Sequence, residues 1–222
     1  MEYARSWPRL RAFASAMGLA GLAACATVPD LPQPAAIETV QILGLNDFHG
    51  NIEPPPGPQT WFAAGERRQD RLGGAARLGA TLARLREGQA NTITVAAGDL
   101  ISASPLVSAH FLDEPTIMAL NRLGLGLASV GNHEFDRGIA ELRRMQQGGC
   151  DKHTPREPCQ LDRPFEGAQF TYLAANVFDE QGRTLFPGTA IREFGGVRIG
   201  FVGMTLKETG MLVSPAGTRG YT

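Results

Sequence analysis

Three short β-rich runs, residues 40–45, 92–97 and 127–130, each stop at a polar turn. The turns are Asn46-Asp47-Phe48-His49-Gly50, Gly98-Asp99 and Gly131-Asn132-His133-Glu134. Between the first two runs, Ala75, Leu78, Leu82 and Leu85 recur at helical spacing with Arg77, Arg84 and Arg86 off that stripe, which predicts an amphipathic helix over about 74–87. A second helix is expected over 114–123, where Pro115 suits the first turn, and a third over 136–146. Further strands are expected at 170–176, 190–194 and 197–204. Strands interleaved with helices imply an α/β fold around a parallel sheet. Right-handed crossovers then bring the carboxyl ends of its strands, and with them the polar turns, to one edge. Residues 51–71, with Pro54-Pro55-Pro56 and Glu66-Arg67-Arg68, read as an exposed insertion before the first helix.

Composition narrows the function classes. Lys and Arg total 21 against 22 Asp and Glu, a formal net charge of -1. There is no basic surplus of the kind that binding a phosphate backbone requires, so no nucleic-acid partner is expected. No segment approaches the ~20 consecutive apolar residues of a spanning helix.

The amino terminus reads as an address. Arg5, Arg9 and Arg11 precede an uncharged stretch rich in Ala, Leu and Gly, the order of a secretory signal over residues 1–24. The stretch ends in Leu22-Ala23-Ala24-Cys25, which resembles the lipobox of bacterial lipoproteins. That resemblance implies export, acylation of Cys25 and a membrane anchor, with Ala26 favouring the outer membrane, facing the periplasm or the cell surface. Residues 25–38, carrying Pro29, Pro32 and Pro34, read as a tether, and 39–222 as the folded domain. In an exported chain Cys150 and Cys159 are expected to pair, closing a polar loop. A metal site from Cys150, His153 and Cys159 is the sharper alternative.

The chemistry is expected at the strand ends. Asp47 and His49 flank one residue, and in an extended segment both side chains would leave the same side and grip one ion. Asp99 and Asn132 follow in glycine-led turns where backbone can pass close to an ion. Hard oxygen donors with imidazole suit Zn²⁺, Mn²⁺, Mg²⁺ or Fe.

These segments, in this order, resemble the calcineurin-like metallophosphoesterases, and within them the 5'-nucleotidase/UDP-sugar hydrolase branch. The likeness extends through Arg71-Leu72-Gly73-Gly74-Ala75-Ala76-Arg77, Glu114-Pro115-Thr116-Ile117 and Ala174-Ala175-Asn176-Val177. It implies a layered α/β metallophosphoesterase fold, a nucleotide substrate and two divalent metal ions. Asp47 and His49 would hold the first ion, Asp99 would bridge, and Asn132 would bind the second while touching the phosphate. His133 would act on the transferring phosphoryl group or the leaving oxygen, oriented by Asp136. Glu134 reads as a first-turn carboxylate favoured by the helix dipole, and His110 and His153 are given no role.

The sequence also departs from that family. The family completes its second metal with histidines far downstream and adds a substrate domain, whereas no His follows His153. The expectation is therefore the amino-terminal part of such a protein, incomplete at its carboxyl end and inactive alone. A thiosulfohydrolase-like sulfur-ester hydrolase and an inert lipid-anchored binding protein are the rival functions.

Overall fold

The computed structural model describes residues 39–161 and 164–222. The signal segment, Cys25 and the tether to residue 38 lie outside them. The chain runs through β1 (Gln41–Leu45), β2 (Gln59–Ala63), β3 (Glu66–Asp70), α1 (Ala75–Arg86), β4 (Thr92–Ala96), α2 (Leu106–Ala109) and α3 (Glu114–Arg122). It continues through β5 (Leu125–Ser129), α4 (Ile139–Gln147), β6 (Thr171–Leu173), β7 (Thr189–Phe194), β8 (Val197–Val202) and α5 (Thr209–Leu212).

Four strands form one sheet in the order β1-β4-β5-β6, and every neighbouring pair is parallel. Period-two alternation gives the sheet two apolar faces. On one, Ala96, Ala128, Tyr172 and Ala174 pack against Ile117 and Leu120 of α3 and Leu142 and Met145 of α4. On the other, Ile93, Leu127 and Leu173 meet Ala190, Phe194 and Phe201 of an antiparallel β7–β8 pair. Each fully buried leucine or isoleucine contributes about 1.5–3 kcal/mol, so α3, with Ile117 and Leu120 at 0% exposure, is pinned by its apolar face.

A register shift between Thr94 and Val95 lets β5 serve both faces, because Thr94 pairs with Leu125 and Val95 with Leu127. The residue skipped is Gly126, whose missing Cβ would stand 3.1 Å from Ile93. A glycine bulge there turns Leu125 toward the helices and Leu127 toward β7–β8.

The expected parallel core, its crossover helices and the exposed insertion at 51–71 are present, with three corrections. Within that insertion Ala64 and Gly65, both at positive φ, turn β2 back on the exposed β3 as a two-residue hairpin. Strands β7 and β8 do not extend the parallel sheet but make a second layer. The third helix starts at Ile139, not 136, because residues His133–Phe135 form a tight 3-10 turn first. Within α1 only Leu82 of the apolar stripe is buried, while Leu85 is 43% exposed. Arg86 turns inward in its place, donating to Thr94 Oγ1 and to the Gly124 carbonyl.

Candidate metal centre

The three polar turns converge at the carboxyl end of the sheet. Asp47 follows β1, Asp99 follows β4 and Asn132 follows β5, and all three line one cleft of about 180 Å³ with Asn46, Gly98 and Gly131. Two imidazoles also approach Asp99. His49, Asp99 and His133 present ligand atoms within 4.8 Å of one another, and the two rings meet edge-on with centroids 4.9 Å apart. Asp99 therefore belongs to both groups. Nitrogen and carboxylate donors converging at this range fit a hard or borderline divalent ion.

The backbone is bent to achieve this. Asp47, His49 and Asp99 have φ of 51°, 43° and 52°, the left-handed region that L-residues other than Gly, Asn, Asp and His rarely occupy. The extended geometry expected for Asp47 and His49 is thus wrong. Their side chains still approach, His49 Nε2 to Asp47 Oδ1 at 3.8 Å, because two left-handed residues curl the segment. Such conformations cost about 1–3 kcal/mol each and cluster where function over-determines the chain.

Glu134 holds the turns together. Its carboxylate is 2% exposed and accepts three backbone N–H groups: Asp99 at 2.9 Å, Gly131 at 2.7 Å and Leu100 at 2.8 Å. It lies in the first turn of the 3-10 helix, as expected from sequence, but its bonds run to the β4 and β5 turns. Burial pushes its carboxyl up to about 7, against the three N–H groups, which favour the charged form, and with the Asp99 charge adding to the rise. Asp99 in turn accepts the His133 N–H at 2.9 Å through Oδ1. One buried acid thereby links the β4 and β5 turns.

His133 and Asp136 form the other pair. Nδ1 of His133 lies 2.8 Å from Asp136 Oδ2, and the hydrogen bond to Asp136 raises the imidazole pKa over the opposing effect of burial, with the charges of Asp136, Asp99 and Glu134 adding to it. The structure places His133 within ligand reach as well as beside Asp136, whereas the sequence reading gave it no metal contact.

The remaining sequence candidates resolve simply. Cys150 and Cys159 are joined in a disulfide, which removes the alternative Cys150/His153/Cys159 metal site. His110 is exposed and packs edge-on against Phe111. What sequence reading missed is a buried polar layer beneath the loop, Asp113 with Arg137, and Glu114 with Arg144 and Glu141. The one signal available was an acid adjoining the Glu114-Pro115-Thr116 turn, which reads equally as a helix start.

No protein-family model matches the chain. An uncharacterised protein of Acinetobacter calcoaceticus is 43% identical over 174 residues, covering 75% of this chain and 84% of that one. A probable 5'-nucleotidase of Treponema pallidum is 32% identical over 178 residues, covering 78% of this chain and 26% of that one. Among solved structures, the Thermus thermophilus sulfate thiohydrolase SoxB aligns with a TM-score of 0.62 at 19% identity, covering 87% of this chain and 40% of that one. The fold is that of the calcineurin-like phosphoesterases. Within it, the chain is similar in sequence to 5'-nucleotidases. It spans about a quarter of the length of the nucleotidase relatives it matches.

Proposed function

We propose that this chain carries the metal-binding half of a phosphate-ester hydrolase acting on nucleoside 5'-monophosphates first and nucleotide sugars second. The observation that carries the reading is that Asp99 belongs both to the cluster with His49 and His133 and to the cleft lined by Asp47 and Asn132. Asp47, His49 and Asp99 would hold one divalent ion, and Asp99 with Asn132 a second. Bound there, such ions supply positive charge for the phosphoryl oxygens and a water of lowered pKa. The Asn132 amide can donate to a phosphoryl oxygen at the cleft. His133, its Nδ1 tied to Asp136, keeps Nε2 for a proton destined for the leaving alkoxide oxygen. Glu134 keeps the turns in register throughout.

The test is phosphate release from adenosine 5'-monophosphate and p-nitrophenyl phosphate, with Mn²⁺, Zn²⁺ or Mg²⁺ and with chelator, by the chain within its complete gene product. Metal-dependent release abolished by Asp99→Ala is expected. For His133→Ala, a fall in kcat with metal content retained is expected, and loss of bound metal would move His133 from proton transfer to ligation. Release indifferent to chelator and to Asp99→Ala would end the proposal.

Anchoring through Cys25 belongs to the same proposal, supported by the Leu22-Ala23-Ala24-Cys25 sequence. Two or more acyl chains on one cysteine suffice for stable membrane attachment. Cys25→Ser should shift the protein from the membrane to the soluble fraction, and unchanged fractionation would exclude a lipid on that thiol.

A further inference from the structure

Close to the candidate metal centre, a single residue, Ser102, connects His49 to a buried ionic network. His49 Nδ1 lies 3.0 Å from the Ser102 carbonyl oxygen. A carbonyl only accepts, so Nδ1 carries a proton, and in the neutral ring Nε2, the atom facing Asp47, keeps the lone pair that a metal would need. Yet the direction of that carbonyl is not set by local preference. Ser102 and Ala103 stand at φ of 65° and 47°, which sterics disfavour for both.

What holds Ser102 is Asp113, through the residue's N–H, across one Cα from the carbonyl that meets His49. The Ser102 N–H donates to Asp113 Oδ2 at 2.9 Å, and Asp113 Oδ1 accepts from Ser108 Oγ at 2.6 Å. The Asp113 carboxylate is fully buried, and Arg137 Nη1 reaches its Oδ2 at 2.5 Å and Ser102 Oγ at 3.4 Å. Burial raises the Asp113 carboxyl pKa, but the Arg137 charge and the bond from Ser108 outweigh it and hold the group below the usual carboxylate range. Arg137 follows Asp136 directly in the chain. The pair thus ties the loop after Asp99 to the segment that carries His133.

We infer that Asp113 and Arg137 are positioning residues for His49, acting through Ser102, which they bond at its N–H and hydroxyl, to fix both the direction and the tautomer of the imidazole on its carbonyl. The inference rests on reading His49 as a metal ligand. Partners of this kind, one bond behind a ligating histidine, commonly alter metal affinity or activity by about 10- to 100-fold when removed. Because Arg137 is partly exposed while Asp113 is not, the arginine is the safer site to change.

The experiment uses the 222-residue chain, with Co²⁺ as the metal probe and visible absorption as the readout, on wild type, Arg137→Met, Arg137→Lys and Asp113→Asn. Alongside it, ¹⁵N NMR of the metal-free protein reports the His49 tautomer. Arg137→Met is expected to weaken Co²⁺ binding about tenfold or more. It should also convert a single Nδ1–H tautomer into a mixture, with Arg137→Lys recovering part of both. A lower melting temperature with wild-type Co²⁺ affinity and an unchanged tautomer would reduce the pair to a purely structural role and overturn the inference. If wild type itself failed to bind Co²⁺, the metal-centre reading would fall, while the tautomer measurement, which needs no metal, would still decide whether the pair orients His49.

Discussion

His133 and Asp136 share a 2.8 Å hydrogen bond from imidazole Nδ1 to carboxylate Oδ2, three residues apart across a 3-10 turn. The bond raises the pKa of His133, so in metal-free protein its imidazolium should persist above the ordinary histidine value. The sign follows from linkage. The stabilisation of the charged pair is complete below the unfolded histidine pKa, about 6.5, and is lost as pH rises through the higher folded value. Asp136→Asn should bring the His133 titration, followed by NMR, back down. An Asp136→Asn protein whose His133 titrates as in wild type would assign the shift to other neighbours.

The Glu134 carboxylate offers a sharper stability test, because three buried N–H groups depend on it. Glu134→Ala leaves all three unsatisfied, whereas Glu134→Gln retains one acceptor oxygen. Each orphaned donor costs about 1–3 kcal/mol. Denaturant melts should therefore rank wild type above Glu134→Gln and Glu134→Gln above Glu134→Ala, with several kcal/mol between the extremes. Equal stability of the two variants would mean that the carboxylate does not hold the turns.

Glu134 also marks the limit of what the sequence could tell. The strand-helix-strand frame was legible because strand ends, helix stripes and glycine turns are local patterns. Asp47, His49, Asp99, Asn132 and His133 were legible because their turns recur in a known order. By contrast, the donors to Glu134 from Asp99 and Leu100 lie more than thirty residues away, and nothing local distinguishes a buried clamp from a helix-start acid. Likewise β7 and β8 alternate as any half-buried strand does, so their place in a second layer depends on Phe194 and Phe201 meeting Leu127 and Leu173. The left-handed bends at Asp47 and His49 were hidden for the same reason, since Asp and His tolerate either conformation.

The disulfide should stabilise by closing a short loop. Cys150 and Cys159 are nine residues apart, for which chain entropy gives about 2–3 kcal/mol. The loop is also docked, since the Cys159 N–H donates to buried Glu114 Oε1 at 2.9 Å and Arg156 Nη1 to the Ala109 carbonyl at 2.8 Å. The double variant Cys150→Ser/Cys159→Ser should thus melt lower yet keep its metal affinity, because no candidate ligand lies in the loop. Loss of metal binding in that variant would connect the loop to the centre.

The last test concerns a residue with no side chain. A Cβ on Gly131 would sit 2.2 Å from Asp99 Oδ1 and 2.5 Å from the Asp99 backbone nitrogen. Neither atom is free to yield. The nitrogen is engaged by Glu134, and Oδ1 accepts the His133 N–H. Gly131→Ala must then either push the β5 turn away from Glu134 or rotate the Asp99 carboxylate out of the triad with His49 and His133. The first route lowers stability and the second removes ligand geometry. Gly210→Ala is the control, because Thr218 Oγ1 stands 3.8 Å from the added methyl, an ordinary contact. We expect Gly131→Ala to lose at least tenfold in Co²⁺ affinity, on the scale of a displaced ligand partner, while Gly210→Ala binds as wild type does. Wild-type affinity and stability in Gly131→Ala would show that the two turns are held less closely than this geometry requires.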